Sequence, residues 1–276
     1  MDMPLVIGID VGGSTTKIVG LQGSTIHSPL FITAADPITS LFGAFGKYIY
    51  DNGIALDDVK QVMLTGVGSG SVATPIYGLP TTKVDEFRAD GLGAQHESGL
   101  DQLVVVSMGT GTTLVKVDGK DISHVGGIGM GGGTLQGLSR LLLGTTSIDE
   151  VVALASEGDI SHINLRIGDI TQNKLEGLPE HATASLFGKA VNTAASRADI
   201  ALGLICMVLE TIGSAAVLSQ INGGCRDFVL IGNMTRLPQC QLVFPVISEL
   251  YGVRFHIPAH AEYCTALGAA LDYLDH

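Results

Sequence analysis

One pattern occurs twice in this chain and limits what the chain can fold into. The first copy is Leu5-Val6-Ile7-Gly8-Ile9-Asp10-Val11-Gly12-Gly13-Ser14-Thr15-Thr16-Lys17. An apolar, β-branched run ends in a carboxylate, then in two glycines, three hydroxyls and a lysine. The run reads as a buried strand. The glycines let a turn bring backbone N–H groups close to an anion. Ser14, Thr15 and Thr16 add hydroxyl donors, and Lys17 adds positive charge. Asp10 is placed to hold Mg²⁺ directly or through water. These are the parts that grip a nucleoside triphosphate tail. The same residues also fit an ordinary hairpin with a Gly-Gly turn. A P-loop fits less well, because its Lys and Ser/Thr open a helix after the second Gly. Lys17-Ile18-Val19 points instead to a chain turning back into a second strand.

The second copy is Leu103-Val104-Val105-Val106-Ser107-Met108-Gly109-Thr110-Gly111-Thr112-Thr113-Leu114-Val115. Laid over the first, Gly109 falls on Gly12, Thr112-Thr113 fall on Thr15-Thr16, and Ser107 replaces Asp10. Two strand–turn–strand units imply a duplicated scaffold with a phosphate-facing hairpin in each half. A ligand clamped between two lobes follows from that arrangement.

Composition narrows the field. At 276 residues, 46% hydrophobic and only 15% charged, the chain has the apolar material for a sizeable core and for an oligomer interface. No unbroken apolar run reaches membrane-spanning length. The most apolar region, 198–218, contains Asp199 and Glu210 and reads as a buried or dimer-packing helix. No signal peptide is expected, since residues 1–10 already read as a strand, and the implied compartment is the cytoplasm. A net charge of −12 argues against a nucleic-acid surface. Cys206, Cys225, Cys240 and Cys264 lack metal-ligand spacing and read as buried, reduced thiols.

Strands and helices alternate along the chain. Strands are expected at 5–10, 17–21, 62–65, 103–107, 112–117, 122–125, 228–231 and 254–257. Helices are expected at 38–51 (started by Asp36-Pro37), 86–96, 134–143, 148–157, 239–251 and 262–274, with 185–218 mostly helical. The turn at 66–70 either lines a cleft or connects elements. The whole reads as α/β with two related lobes.

A third element is denser in glycine: Val125-Gly126-Gly127-Ile128-Gly129-Met130-Gly131-Gly132-Gly133-Thr134-Leu135-Gln136-Gly137-Leu138. Six glycines in eight residues cost much backbone entropy. Close approach to a ligand explains them, and the last triplet opens a helix whose free N–H groups suit phosphate. A flexible glycine-rich loop is the alternative.

The order strand-Asp-x-Gly-Gly-Ser/Thr-x-x-Lys, then Glu-Phe-x-Ala-x-x-x-Gly, then Gly-Thr-Gly-Thr, then Val-Gly-Gly-x-x-x-Gly-Gly-Gly-x-x-x-Gly-Leu resembles the type II pantothenate kinases. The resemblance runs over nearly the whole chain. Later matches are Glu157-Gly158-Asp159, Thr183 to Gly188, Ile231-Gly232-Asn233-Met234-Thr235-Arg236 and Ala266-Leu267-Gly268-Ala269. It implies two ribonuclease-H-like lobes of the actin-like ATPase fold around an ATP cleft, at 1–97 and 98–276, with the last helix packing back on the first lobe. It also implies a homodimer that uses ATP and Mg²⁺ to phosphorylate pantothenate, the first step toward coenzyme A, with no nucleic-acid or membrane partner. On it, the catalytic carboxylate falls on Glu86. Phosphate-binding residues fall on Asp10, Gly12 to Lys17, Gly109 to Thr112 and Gly131, Gly132, Gly133, Thr134 and Leu135. Gly232 and Asn233 fall on the nucleotide contact, and Asp10 on the metal. Spacing alone does not separate Glu86 from Asp85, Asp90 or Glu97; only the resemblance does.

One position departs from the family. Where the family has arginine before Val-Gly-Gly, this chain has His124, which is shorter and lacks the bidentate fork. Either Lys120 or Arg88 compensates, or the acceptor differs. Thr183 matches a substrate-side threonine of the family, and also suits a helix N-cap. A kinase for another hydroxyl acceptor, such as an N-acetylhexosamine, shares the fold. An activase with a dimer-bridging iron–sulfur cluster finds no support in the cysteine positions. A regulator that binds ATP without turnover is the non-enzymatic alternative.

Overall fold

The strand Leu5–Val11 (β1) is buried at every residue, as its unbroken apolar run predicts. In the computed structural model, which describes residues 3–13, 15–33, 36–171, 177–192 and 194–274, this strand sits inside a sheet covered on both faces. β1 pairs antiparallel with Thr15–Gln22 (β2), which also pairs with Thr25–Ile26 (β3) and Leu30–Thr33 (β4). Helix Pro37–Asp51 (α1) follows, capped by Asp36, which accepts from the Thr39 N–H at 2.7 Å. The strand Val59–Thr65 (β5) runs parallel to β1, and Thr81–Lys83 (β6) runs parallel to β5. Helix Glu86–Ser98 (α2) then leaves this sheet.

The second lobe repeats that order. Gln102–Met108 (β7), Thr112–Asp118 (β8) and Asp121–Ile128 (β9) form an antiparallel meander. Helices Gly132–Leu143 (α3) and Ile148–Ala155 (α4) follow, then Leu165–Arg166 (β10), Ile167–Ile170 (α5) and Thr183–Ser185 (β11). Arg197–Ser219 (α6) leads to Asp227–Ile231 (β12), which runs parallel to β7 as β5 does to β1. Cys240–Tyr251 (α7), Arg254–His256 (β13) and Cys264–Asp272 (α8) complete the chain. The sheet orders are β3-β2-β1-β5-β6, with β4 beside β2, and β13-β12-β7-β8-β9. The duplication expected from the two hairpins therefore extends to both sheets.

Alternation along β1 assigns its faces. Leu5, Ile7, Ile9 and Val11 pack with Leu41, Phe45 and Tyr48 of α1, while Val6 packs with Ala266, Ala269 and Ala270 of α8. On β7, Val104, Val106 and Met108 face the core under α6 and α7, and Leu103 and Val105 face Ala94 of α2. Each lobe thus sends a helix to the other: α2 covers the second sheet and α8 the first. These two helices meet backbone to backbone. A Cβ on Gly93 would lie 1.9 Å from the Cys264 carbonyl oxygen, and one on Gly268 would lie 1.8 Å from that of Ala89.

One expectation changes. Helix is expected from residue 185, yet α6 starts at Arg197. Ser196 and Asp199 form a reciprocal capping box that fixes this start, and Thr183–Ser185 pairs as a strand with β10. α6 is long and apolar enough to cross a membrane, but 67% of its most apolar window is buried inside the protein. Most of its apolar surface therefore serves the core, as the reading of a buried helix expects. The short strands β3, β4 and β6 escape sequence reading because they are at most four residues long, too few to show a period. Cys206, Cys240 and Cys264 are buried and unpaired, and burial pushes the Cys206 and Cys240 thiols up to about 12.

Candidate active site

Both glycine turns open into one cleft, and they differ in register. In the first lobe Val11 lies opposite Thr16 and Asp10 opposite Lys17. In the second, Met108 lies opposite Thr112 and Ser107 opposite Thr113. The second turn is one residue shorter, so Thr113 stands where Lys17 does, not where Thr16 does. Backbone bonds close each turn: Gly12 N–H to the Thr15 carbonyl, and Gly109 N–H to the Gly111 carbonyl, both at 2.9 Å. Lys17 Nζ lies 3.4 Å from Asp10 Oδ2, and both side chains are below 10% exposed. Ser14 lies outside the described residues.

A glycine of positive φ also ends the parallel strand in each lobe: Gly66 (φ 89) after β5 and Gly232 (φ 92) after β12. A Cβ at Gly66 would lie 2.5 Å from Asp10 Oδ1, and one at Gly232 2.6 Å from the Met108 carbonyl oxygen. Only glycine fits either corner. Asn233 follows and reaches across the cleft, its Nδ2 donating to Thr15 Oγ1 at 3.4 Å. Its Oδ1 is buried with no protein partner, an acceptor left over for a ligand.

The dense glycine element works differently from expectation. The N–H groups of Gly132 and Gly133 donate to the Gly109 and Thr110 carbonyls at 2.8 and 2.9 Å. They are not free for phosphate. A Cβ at Gly131 would lie 2.5 Å from the Thr110 carbonyl oxygen, so this glycine lets the start of α3 lie directly on the second turn.

The cleft holds ≈ 1090 Å³, ample for a nucleoside triphosphate and a small acceptor. Of the expected residues, Asp10, Gly12, Gly13, Thr15, Lys17, Glu86, Gly109 to Thr112, Gly132, Gly133, Leu135, Gly232 and Asn233 line it. Thr16, Gly131, Thr134, His124 and Thr183 do not. The Thr16 hydroxyl bonds to Ser40 Oγ of α1 at 3.0 Å, and Thr134 donates to the Gly129 carbonyl at 2.9 Å. Sequence reading missed the apolar end of the cleft, formed by Ile148, Val152, Met234, Leu237 and Pro238, because these residues come from separated segments. On the polar side it also missed Thr265, while Ser107 and Thr113 of the second hairpin line the cleft with the expected residues. At the mouth the Arg236 guanidinium lies 5.4 Å from the Phe31 ring centroid, bridging the two lobes. The 66–70 turn contributes only Val67.

Geometry now separates the four acidic residues around α2. Asp85 is the helix N-cap, and its Oδ1 accepts from the Arg88 N–H at 3.0 Å. Asp90 is buried below the surface, and Glu97 faces His260 at the far end. Glu86 alone lines the cleft. Burial and then the Asp10 charge hold its carboxyl above the ordinary value, with Lys17 opposing and Asp85 adding. A half-buried carboxylate of raised pKa beside an ion pair is equipped to take a proton.

His124 and Thr183 stand apart from that centre. The His124 ring stacks on Phe87, the residue after Glu86, with centroids 4.2 Å apart and planes at 8°. Arg88, a candidate to replace the missing arginine, is bonded to Asp272 of α8. Thr183 is not a helix N-cap. It lies in β11 and donates to Glu210 Oε1 of α6 at 3.2 Å.

Comparison with known proteins agrees with this architecture. The Fumble family model matches residues 94–272. A type II pantothenate kinase of Staphylococcus epidermidis (strain ATCC 35984) is 31% identical, over 95% of this chain and 98% of its own length. A type II pantothenate kinase of Bacillus cereus (strain G9842) is 26% identical over 84% of each chain. Among solved structures, the activator of 2-hydroxyisocaproyl-CoA dehydratase from Clostridium difficile, with bound ADPNP, superposes with a TM-score of 0.69 at 18% identity, covering 98% of this chain and 94% of that one. The ROK hexokinase of Thermus thermophilus gives 0.56 at 14% identity, covering 98% and 99%. The fold is that of the actin-like ATPases, and the chain belongs to the type II pantothenate kinase family.

Proposed function

We propose that this chain transfers the γ-phosphoryl group of ATP to the terminal hydroxyl of pantothenate, the first step of coenzyme A biosynthesis. The observation that carries the reading is Glu86: it is the one carboxylate of α2 in the cleft, and it lies beside the Asp10–Lys17 pair. Phosphoryl transfer needs positioning and charge neutralisation more than covalent help. Lys17 and the turn N–H groups hold the β- and γ-phosphates. The apolar end at Ile148, Val152 and Met234 takes the nucleoside, and the orphan Asn233 Oδ1 accepts from it. Glu86 accepts the proton of the attacking hydroxyl as its oxygen bonds to the γ-phosphorus, the bond to the bridging oxygen breaks, and ADP leaves. Asp10 fits Mg²⁺: it is a hard oxygen donor at the phosphate turn. The ion, when bound, neutralises phosphate charge. His124, stacked beside Glu86's neighbour, and Thr183 lie on the acceptor side. A cytoplasmic homodimer completes the proposal.

ADP release with Mg²⁺ is the test, comparing pantothenate, pantetheine and N-acetylglucosamine, with Glu86→Gln alongside. Phosphopantothenate is expected, with kcat about 100- to 10,000-fold lower in Glu86→Gln. The rate should rise with pH as the Glu86 carboxyl loses its proton, at a pH above its ordinary 4.5, and the variant should lack that rise. Turnover only on another acceptor replaces pantothenate and makes His124 the specificity candidate. No turnover on any acceptor sinks the kinase.

A further inference from the structure

The reaction above leaves one buried carboxylate unused. Asp90 is 1% exposed and lies one helical turn beyond Glu86, so both project from one side of α2. A carboxyl group that deep needs donors. Thr265 Oγ1 of α8 donates to Asp90 Oδ1 at 2.6 Å, and the Ser107 hydroxyl at the end of β7 is near enough to favour its charged form. Ser107 and Thr265 both line the cleft, whereas Asp90 does not. The carboxylate therefore lies behind the wall, holding the Thr265 hydroxyl and neighbouring that of Ser107. Ser107 is also the residue standing where the first turn has Asp10.

We propose that Asp90 is a positioning residue for phosphoryl transfer: it orients the Ser107 and Thr265 hydroxyls at the cleft wall and, through Ser107, gives the second turn the carboxylate that the first carries directly as Asp10. The inference rests on the kinase reading. Tying α2 to α8 does not require this acid, because Arg88 and Asp272 already join the same two helices. An apolar side chain would also be less costly to bury there.

The surroundings of Asp90 give the test a specific signature. Burial pushes its carboxyl up to about 7, the Thr265 and Ser107 bonds oppose this, and the charges of Glu86 and Asp10 add to it. The groups facing it are Glu86 on α2, Asp10 on β1, Ser107 on β7, and Thr265 and Cys264 on α8, with Lys17 beside Asp10. A carboxyl pushed to about 7 changes charge near neutral pH, and with it the bond to the Thr265 hydroxyl.

Steady-state kinetics of Asp90→Asn, Asp90→Ala and Ser107→Ala, with ATP and pantothenate across pH, decide the matter. Asp90→Asn keeps the shape and one acceptor but cannot ionise. It should lower kcat about 10- to 100-fold, change KM for ATP far less, and remove the change of kcat with pH near 7. Ser107→Ala should reproduce part of the kcat loss. Wild-type kcat and pH profile in Asp90→Asn overturn the proposal. So does a lowered kcat with the titration near 7 intact and Ser107→Ala silent, which is the mark of damaged packing. If both Asp90 variants fail to fold, wild-type kcat in Ser107→Ala overturns it. Wild-type protein is assayed first: failure on pantothenate overturns the acceptor, and the variants are then scored on whichever acceptor is turned over. An ATPase rate without acceptor serves if none is, so the two readings fail separately.

Discussion

At the end of its central strand the first lobe places Asp10 opposite Lys17, and the second places Ser107 opposite Thr113. Around these pairs the backbones agree. Each central strand has an antiparallel neighbour on one side and a parallel one on the other, and each parallel strand ends in a glycine of positive φ and a short 3₁₀ turn. Duplication has kept the frame and divided the chemistry. The first turn carries charge, and the second carries neutral donors braced from behind by Gly132 and Gly133. A second carboxylate facing a polyanion would add repulsion. The acid behind the second turn, Asp90, comes from α2 of the first lobe and stays out of the cleft.

The sharpest way to break this comparison is to alter equivalent positions. Lys17→Met should lower kcat/KM for ATP about 100- to 1,000-fold, as loss of a preorganised charge contact does. Thr113→Val, at the same place in the other lobe, removes one neutral hydrogen bond and should cost roughly 10-fold at most. Equal losses would mean that charge is not divided between the turns.

The glycine corners give the next largest effect. Alanine at Gly66 or Gly232 must adopt φ near +90°, at a cost of about 1–3 kcal/mol in stability before any clash. Melting temperatures should fall in both. Gly66→Ala should also lose activity, because its methyl group meets the Asp10 carboxylate, whereas Gly232→Ala meets backbone. Full kcat in a folded Gly66→Ala would separate Asp10 from the chemistry.

The smallest effect is on acid stability. Backbone N–H groups of Asp159 and Ser196 hold Asp199 down to about 2, and Arg254 and then His256 hold Asp227 there. Both carboxylates belong to the second lobe. A depressed carboxyl contributes stability above its ordinary value, 3.8, and loses it as pH falls toward about 2. Amide exchange should therefore show the second lobe opening before the first in acid. Asp199→Asn should cost about 1 kcal/mol and reduce that difference. Simultaneous opening of both lobes would count against it.

The long elements were legible because their patterns are long. Runs such as Leu103–Val106 and the cap at Asp36 determine structure locally. What stayed hidden depends on distance in the chain. The one-residue difference between the turns appears only when strands pair, since Thr112-Thr113 align with Thr15-Thr16 by eye yet take other partners. The apolar end of the cleft and the Asp90–Thr265 bond join residues far apart in sequence. The glycine cluster was visible, but sequence does not show that its Gly132 and Gly133 N–H groups meet the Gly109 and Thr110 carbonyls. Glu86 needed the family resemblance to be singled out. The fold shows why, by giving Asp85 to a helix cap and Glu97 to His260.

The crossing of α2 and α8 carries a mechanical consequence. At Gly93 and Gly268 the two backbones touch, while Arg88–Asp272 and Asp90–Thr265 tie the same helices together through side chains. A methyl group at either glycine would act as a wedge between the two helices that the lobes exchange, so a change remote from the phosphate turns would alter how those turns face each other.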